Sequence, residues 1–270
     1  DGSTDNSLEI VKEYAQKDSR IKIIDKPNEG YGKTVNRGFS ESSGEFLAIF
    51  EPDDILYPNI YSVLYKEATE NNLDVVKCNF ENYWSKTGNL KRSILVARCA
   101  KKDVFEPKDN LKIFTCHASV WAGIYKRDFL NNNNIHFLET PGASFQDMSF
   151  NFKVLASVGR MKLLKQPLLK YRQDNPNSSI NNPKKIYCVC DEYNELTKFL
   201  NSNLELKKYF NTQKLVNQYR AYLWNIKRLD ESLQLEFLKE YSRVFKESLE
   251  FGEITKEFFK SINKSDFNLL

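Results

Sequence analysis

Gly44-Glu45-Phe46-Leu47-Ala48-Ile49-Phe50-Glu51-Pro52-Asp53-Asp54-Ile55-Leu56-Tyr57-Pro58 is the stretch from which the rest of this 270-residue chain can be read. Residues 45–50 form a near-continuous apolar run, the pattern of a strand buried on both faces in a parallel sheet. Acids follow it at once. Adjacent carboxylates at a strand's end repel one another unless a cation or hydroxyl donors share the site. A hard divalent ion with diphosphate oxygens would satisfy them, and a solvated acidic turn reads equally well. Pro52 fixes one φ, and Pro58 marks the exit toward the next helix.

Upstream, residues 6–18 carry apolar side chains at 8, 11, 14 and 15, a helical stripe behind Asp5 or Ser3. A short β run, Ile21–Asp25, closes on the Lys26-Pro27-Asn28 turn, and residues 33–41 read as a helix between Gly32 and Gly44. Downstream come a helix near 59–69, a strand over 74–82 and an irregular stretch over 85–110. A short helix near Lys126, a clearer one over 145–156 and strands at 161–164 and 168–172 complete the middle. Strand and helix alternating at this spacing predict βαβ units and a doubly wound α/β sheet. Beyond Pro183 three apolar helical faces follow one another. The expected organisation is an α/β domain over 1–182 and a helical region over 183–270.

Composition narrows the classes. Hydrophobic residues make up 41% and charged residues 28%, with 10 Gly and 8 Pro, which excludes disordered, collagen-like and disulfide-framework chains. Forty Lys+Arg against 36 Asp+Glu is too small an excess to argue for a nucleic-acid partner. Five cysteines, odd in number and without Cys-x-x-Cys spacing, make reduced thiols in a reducing compartment the default. His117 and His136 lack metal-ligand spacing.

Two more acidic positions stand beside the first. Asp1-Gly2-Ser3-Thr4-Asp5 reads as a turn after a strand, where an Asp reaches a nucleotide in an open sheet or simply caps a helix. Asp147 opens the helix that continues Met148-Ser149-Phe150, where an acid also suits the helix dipole. Taken as an ordered set with Asn28-Glu29-Gly30, Lys33 and Asn36-Arg37-Gly38, these motifs resemble the family 2 nucleotide-sugar glycosyltransferases of bacterial surface-polysaccharide synthesis. Residues 44–58 are similar to that family's strand and acidic metal motif. Residues 140–147 are similar to the loop and helix start bearing its catalytic base, and residues 171–179 to the segment closing its catalytic domain. Thr34-Val35-Asn36-Arg37 replaces the usual Ala-Arg-Asn order, Glu51 stands for the first Asp of Asp-x-Asp, and Gln146 for the common Glu before the base.

The resemblance implies a GT-A (Rossmann-like) mixed sheet flanked by helices, and an inverting hexosyltransferase that uses a UDP-sugar type of donor. Asp1, Lys33, Asn36, Asp53 and Arg172 would contact the nucleotide sugar, with Lys33 and Arg172 equally readable as surface charges. Asp54 and Asp53 would hold Mn²⁺ or Mg²⁺ against the diphosphate, and Asp147 would take the acceptor's proton. A single carboxylate base suits one in-line displacement, since retention would need a second nucleophile. Trp121 is either an acceptor-stacking ring or a core residue, with core the stronger reading. The acceptor implied is a carbohydrate or lipid-linked hydroxyl, and the location cytoplasmic, at the inner membrane face where the acceptor is lipid-linked. Peripheral membrane attachment and self-association stay open.

Family members carry a strand–helix–strand segment ahead of the position where this chain starts, so an N-terminally truncated catalytic domain is expected. Two missing strands of about 5–6 residues would remove burial worth on the order of 10 kcal/mol, comparable with a whole domain's ~5–15 kcal/mol stability. Two other readings remain: a non-catalytic scaffold derived from such an enzyme, and a nucleotidyltransferase, which would carry a Gly-rich basic loop near its start.

Overall fold

Val75-Val76-Lys77-Cys78-Asn79-Phe80 is buried at every position, because its strand has neighbours on both edges and helices over its faces. The structure, a computed structural model, describes residues 1–93, 99, 103–143, 145–176 and 185–262. In chain order its helices are α1 (Ser7–Lys17), α2 (Tyr31–Glu41), α3 (Ile60–Glu70), α4 (Arg127–Asn132), α5 (Gln146–Ser157), α6 (Cys188–Ser202), α7 (Leu204–Arg228), α8 (Glu231–Glu250) and α9 (Lys256–Ser261). Its strands are β1 (Phe46–Ala48), β2 (Ile55–Leu56), β3 (Val75–Tyr83), β4 (Leu90–Arg92), β5 (Gly123–Lys126) and β6 (Met161–Arg172).

The sheet is mixed, in the order β1-β5-β3-β6-β2, with β4 also on β3; β3 and β6 run parallel and the other pairs antiparallel. Residues 161–172, read from sequence as two strands, form one. Its register against β3 shifts around Asn79, whose amide donates to Ser93 O at 2.9 Å and Lys165 O at 3.3 Å and so satisfies the carbonyls the bulge frees. Helix α5 is buried over most of its circumference because it lies between the sheet and the C-terminal helices. Phe150 stacks on Phe137 at 4.0 Å, and Phe39 of α2 packs on both rings. The same hydrophobic cluster continues into α6–α9 through Tyr193, Tyr219, Tyr222, Phe237 and Phe258. The expected boundary at 182/183 lies outside the described residues, as do Ser144 and Asn177–Ser179 of the expected motifs.

The N-terminal expectations need correction. Residues 46–50 are not buried on both faces: Leu47 and Ile49 are buried while Phe50 is 52% exposed, because β1 pairs only with β5 and is the sheet's edge among the described residues. Ile21–Asp25 forms no strand and has no ladder partner among the described residues. A trough of about 460 Å³ lined by Lys22, Ile24, Phe46, Leu47 and Ala48 separates it from β1. Helix α1 forms as expected, yet Val11 and Tyr14 of its stripe are exposed. The expectation of five reduced thiols is also corrected. Cys99 and Cys116, 17 residues apart, form a disulfide, while Cys78, Cys188 and Cys190 are free. No spacing rule encodes this pairing, which depends on where the fold places the two residues.

Helix α2 approaches the 137–139 segment closely at one glycine. A Cβ on Gly32 would lie 2.1 Å from Leu138 O, whereas one on Gly38 would meet nothing within 4 Å. Gly32→Ala is therefore expected to lower the denaturant midpoint by the equivalent of roughly 1–3 kcal/mol or more. Gly38→Ala in the same helix should leave it unchanged or raise it by about 0.5–1 kcal/mol. Equal effects of the two would mean that α2 does not pack as described.

Candidate active site

The chain leaving β1 brings three carboxylates into a half-buried cleft, and each is held differently. Asp54 is buried; its Oδ1 accepts the Arg172 backbone N–H at 2.9 Å, while its Oδ2 has no partner among the described residues. Burial, followed by the charges of Asp53 and Glu51, pushes the Asp54 carboxyl up to about 7, against the pull of the Arg172 N–H. Asp53 accepts from the Asn175 amide at 2.7 Å, and Glu51 from the Tyr31 hydroxyl at 2.6 Å. Glu51 is also raised, by burial first and Asp53 after it.

Asp147 lies in the first turn of α5, so backbone N–H groups point toward its carboxylate. Burial nevertheless raises it to about 6; its own N–H and that of Met148 oppose the rise, Glu51 adds to it and Lys77 opposes it. One side chain lies within electrostatic reach of both acidic groups. The Tyr171 phenol is pushed up to about 12, by burial first and then by the charges of Asp54, Asp147, Asp53 and Glu51. Tyr31 likewise feels both Glu51 and Asp147. The acids that follow β1 and the one that heads α5 therefore act on the same two phenols, although about ninety residues of chain separate them.

The other expected residues divide. Arg172 joins the cleft through its backbone N–H, while its guanidinium reaches Ser85 Oγ at 3.0 Å and Asp174 at 3.4 Å. Asp1 accepts from Lys26 Nζ at 2.5 Å and from Glu29 N at 2.9 Å, which closes the 26–29 turn over it. Lys33 is paired with Glu29 one turn away. The Asn36 side chain clamps Phe137, accepting from its N–H and donating to its C=O, each at 2.9 Å. Trp121 is 8% exposed; it stacks on Tyr171 at 4.6 Å and meets Phe80 edge-on at 4.9 Å, so it is a wall of the cleft and not a free platform.

Sequence reading missed Lys77, Tyr31, Tyr171 and His117. Lys77 is buried, donates to Asn151 Oδ1 at 2.7 Å, and burial lowers its ammonium to about 8 against the attraction of Asp147. A lone charge inside an apolar β run was the available signal. His117 packs against Phe80, Trp121 and Tyr171 and is held neutral-leaning by burial and by Lys77. Among the described residues no cluster of three or more His, Cys, Asp or Glu is placed to hold a metal ion by itself. Asp53 and Asp54 would need oxygens from a ligand.

Residues 1–154 match the family described as glycosyl transferase family 2. The chain belongs to that family. Among curated relatives, it is 33% identical over 183 residues to the uncharacterized glycosyltransferase YibD of Escherichia coli, covering 66% of this chain and 53% of that protein. It is 28% identical over 190 residues to the uncharacterized glycosyltransferase EpsJ of Bacillus subtilis, covering 68% and 54%. The chain thus spans about half the length of these relatives. Among solved structures, S. aureus TarS in complex with UDP-GlcNAc superposes with a TM-score of 0.53 at 16% identity over 86% of this chain and 71% of that one, a likeness of fold.

Helices α6–α9 lie beyond the family match, yet they grip the loop that carries Asp147. Phe145 caps α5 with φ 67°, a left-handed conformation costly for a bulky residue. Its ring is bracketed by Trp224, edge-on at 5.3 Å, and by the Arg228 guanidinium at 5.2 Å. Arg228 is in turn fixed by Asn225 Oδ1 at 2.8 Å and Lys185 O at 2.7 Å, and Lys185 Nζ donates to Ala143 O. From the other side, Gln146 donates to Thr140 Oγ1 at 2.9 Å and Gly142 O at 3.1 Å. In this family member Gln146 is thus the inner staple of the loop.

Glu192 of α6 is fully buried against α5; it accepts from Ser149 N at 3.3 Å through Oε2, and its Oε1 has no partner among the described residues. Burial, with Asp147 adding to it, pushes it up to about 8 from an ordinary 4.5. A carboxyl raised on folding stabilises fully below its unfolded value and loses that stability as pH rises through the folded one. Wild type should therefore lose stability relative to Glu192→Gln between about pH 4.5 and 8, at up to ~1.4 kcal/mol per pH unit. The two should melt alike at pH 4. Parallel melting curves from pH 4 to 9 would show that Glu192 is not buried as described.

Proposed function

We propose that this chain is the catalytic portion of a GT-A type glycosyltransferase, which moves a hexose from a nucleoside-diphosphate sugar, of the UDP type, to an acceptor hydroxyl with inversion. The reading rests above all on one feature: the acids after β1 and Asp147 all act electrostatically on Tyr171, and Glu51 acts on Asp147 as well. A diphosphate placed between them would leave the sugar's anomeric carbon facing Asp147. Family membership supports donor and reaction class. The acceptor proposed is a carbohydrate or lipid-linked hydroxyl of surface polysaccharide or glycolipid. Among the described residues no helix is long and apolar enough to cross a membrane.

Each residue's part follows from its surroundings. Asp147, raised to about 6, is ionised at neutral pH yet basic enough to take a proton from an attacking hydroxyl. Lys77, beside it, holds that carboxylate in its charged form. Asp54, with a buried oxygen lacking a partner among the described residues, and Asp53 fit a divalent cation, Mn²⁺ or Mg²⁺, completed by diphosphate oxygens. Such an ion supplies Lewis-acid neutralisation of the departing diphosphate. Asp1, Lys33, Asn36 and Arg172 line the nucleotide end, where Asn36 acts by fixing the 137–139 segment against α2. Trp121 acts by backing Tyr171. Against a non-catalytic scaffold stands the cost of keeping four acids and a lysine half-buried together, which a scaffold has no reason to bear.

Asp147→Asn should cut transfer from a UDP-sugar by about 10²–10⁴-fold with donor affinity little changed. In the unmutated chain, turnover should rise with pH to a plateau, with its half-point at about 6, because the base works only when deprotonated. Wild-type turnover in Asp147→Asn would remove the assignment.

A further inference from the structure

Beyond the acidic cleft, a cavity of about 210 Å³ opens between the second 3-10 helix (Leu111–Thr115) and helices α5, α6 and α7. Its walls include Phe114, Thr115, Met148, Asn151, Asn217 and Arg220. A small void lined by Lys77, His117 and Ser119 shares Asn151 and Cys116 with it, so the two adjoin at Asn151. Asn151 lies one helical turn after Asp147, on the same side of α5. Asp147 itself lines neither space; its neighbour Met148 and Asn151, one turn on, tie it to the cavity wall.

Two polar groups of this space, Asn151 and Arg220, present donors, while the Asn217 NH₂ is spent on Phe114 O at 2.8 Å and leaves its Oδ1 as an acceptor. Lys77 can only donate, so Asn151 turns its Oδ1 to the ammonium at 2.7 Å and its NH₂ the other way. Asn151 is 8% exposed, and that NH₂ has no partner among the described residues. Arg220, at the wall beside it, is bonded through Nη2 alone, to Ser261 O at 2.8 Å, leaving its remaining N–H groups without a protein partner among the described residues. No acidic side chain lines either space among the described residues. The tilted Phe114 and Phe152 rings, 5.0 Å apart, supply an apolar wall. An aromatic wall with amide and guanidinium donors and no opposing carboxylate suits a sugar ring that carries negative charge.

We infer that this cavity is the acceptor subsite and that it takes a saccharide unit bearing an anionic group, a carboxylate or a phosphate ester, held by Asn151 and Arg220 with a hydroxyl presented to Asp147. The inference rests on the transferase reading of Asp147 and adds the acceptor's chemistry to it. The test is binding by NMR titration of the chain with three probes: methyl glucuronide, glucose 6-phosphate and uncharged methyl glucoside. At least one charged probe should bind about tenfold or more tighter than the neutral one, since charge-assisted bonds are about twice as strong as neutral ones. Which of the two binds tighter identifies the anion.

Two variants should each collapse that ratio toward unity: Arg220→Gln, and Thr115→Asp, which sets a negative charge on an exposed wall residue. Equal binding of all three probes to the unmutated chain, or a ratio that survives both variants, overturns the inference. Its failure is separable from failure of the transferase reading. Loss of anion selectivity with Asp147-dependent turnover intact removes the subsite alone. Selective binding with turnover indifferent to Asp147→Asn removes the base, and with it the assignment of this cavity to an acceptor.

Discussion

Four carboxylates gathered in one half-buried cleft set the terms for the rest of this molecule. Burial and mutual repulsion raise Glu51, Asp54 and Asp147 together, and only a few neutralising contacts oppose them. These are a backbone N–H from Arg172, a phenol from Tyr31, the N–H groups heading α5, and the buried ammonium of Lys77. None cancels the charge fully, and Asp54 Oδ2 has no partner among the described residues. A cleft held in that condition favours a cation and a proton-bearing hydroxyl as guests, because each relieves what the protein leaves unrelieved.

Maintaining such a cleft requires rigid supports, and they come from distant parts of the chain. The β3–β6 pairing carries Lys77 and Tyr171 in on parallel strands, and the bulge at Asn79 adjusts the register between them. The aromatic stack of Phe80, Trp121, Tyr171 and His117 fills the floor. On the opposite wall, the C-terminal helices fix Phe145 in a left-handed turn through Trp224 and Arg228, and Glu192 closes on the next N–H groups of α5. The helical region is therefore tied mechanically to the loop that carries Asp147, although the family match stops before it.

The opposite end of the sheet is built differently. The edge of β1, the 21–25 run and the apolar stripe of α1 all face the trough beside β1 or solvent, and Val11, Tyr14, Ile21 and Ile23 are exposed in consequence. Nothing in the cleft leans on α1. Asp1 reaches the body of the protein through Lys26 and Glu29, and α2 is anchored by Asn36 and by the close approach at Gly32.

From the sequence alone the elements, their order and the acidic motifs were legible, because periodicity, turn residues and a run of carboxylates after an apolar strand are local properties. Helices α2, α3 and α5 and strand β3 fall within a residue or two of their expected ends. The burial of 46–50, the pairing of 21–25 and the Cys99–Cys116 bond were not legible, since each depends on which neighbour the fold supplies. Nor were the roles of Asn36, spent on Phe137, or of Lys77, a lysine whose meaning lies in Asp147 and Asn151, far along the chain. The sequence determined which charges this protein carries and where its chain can turn. Only the tertiary structure decided which of those charges meet, because the energy of bringing them together depends on burial and separation, and neither is written along the chain.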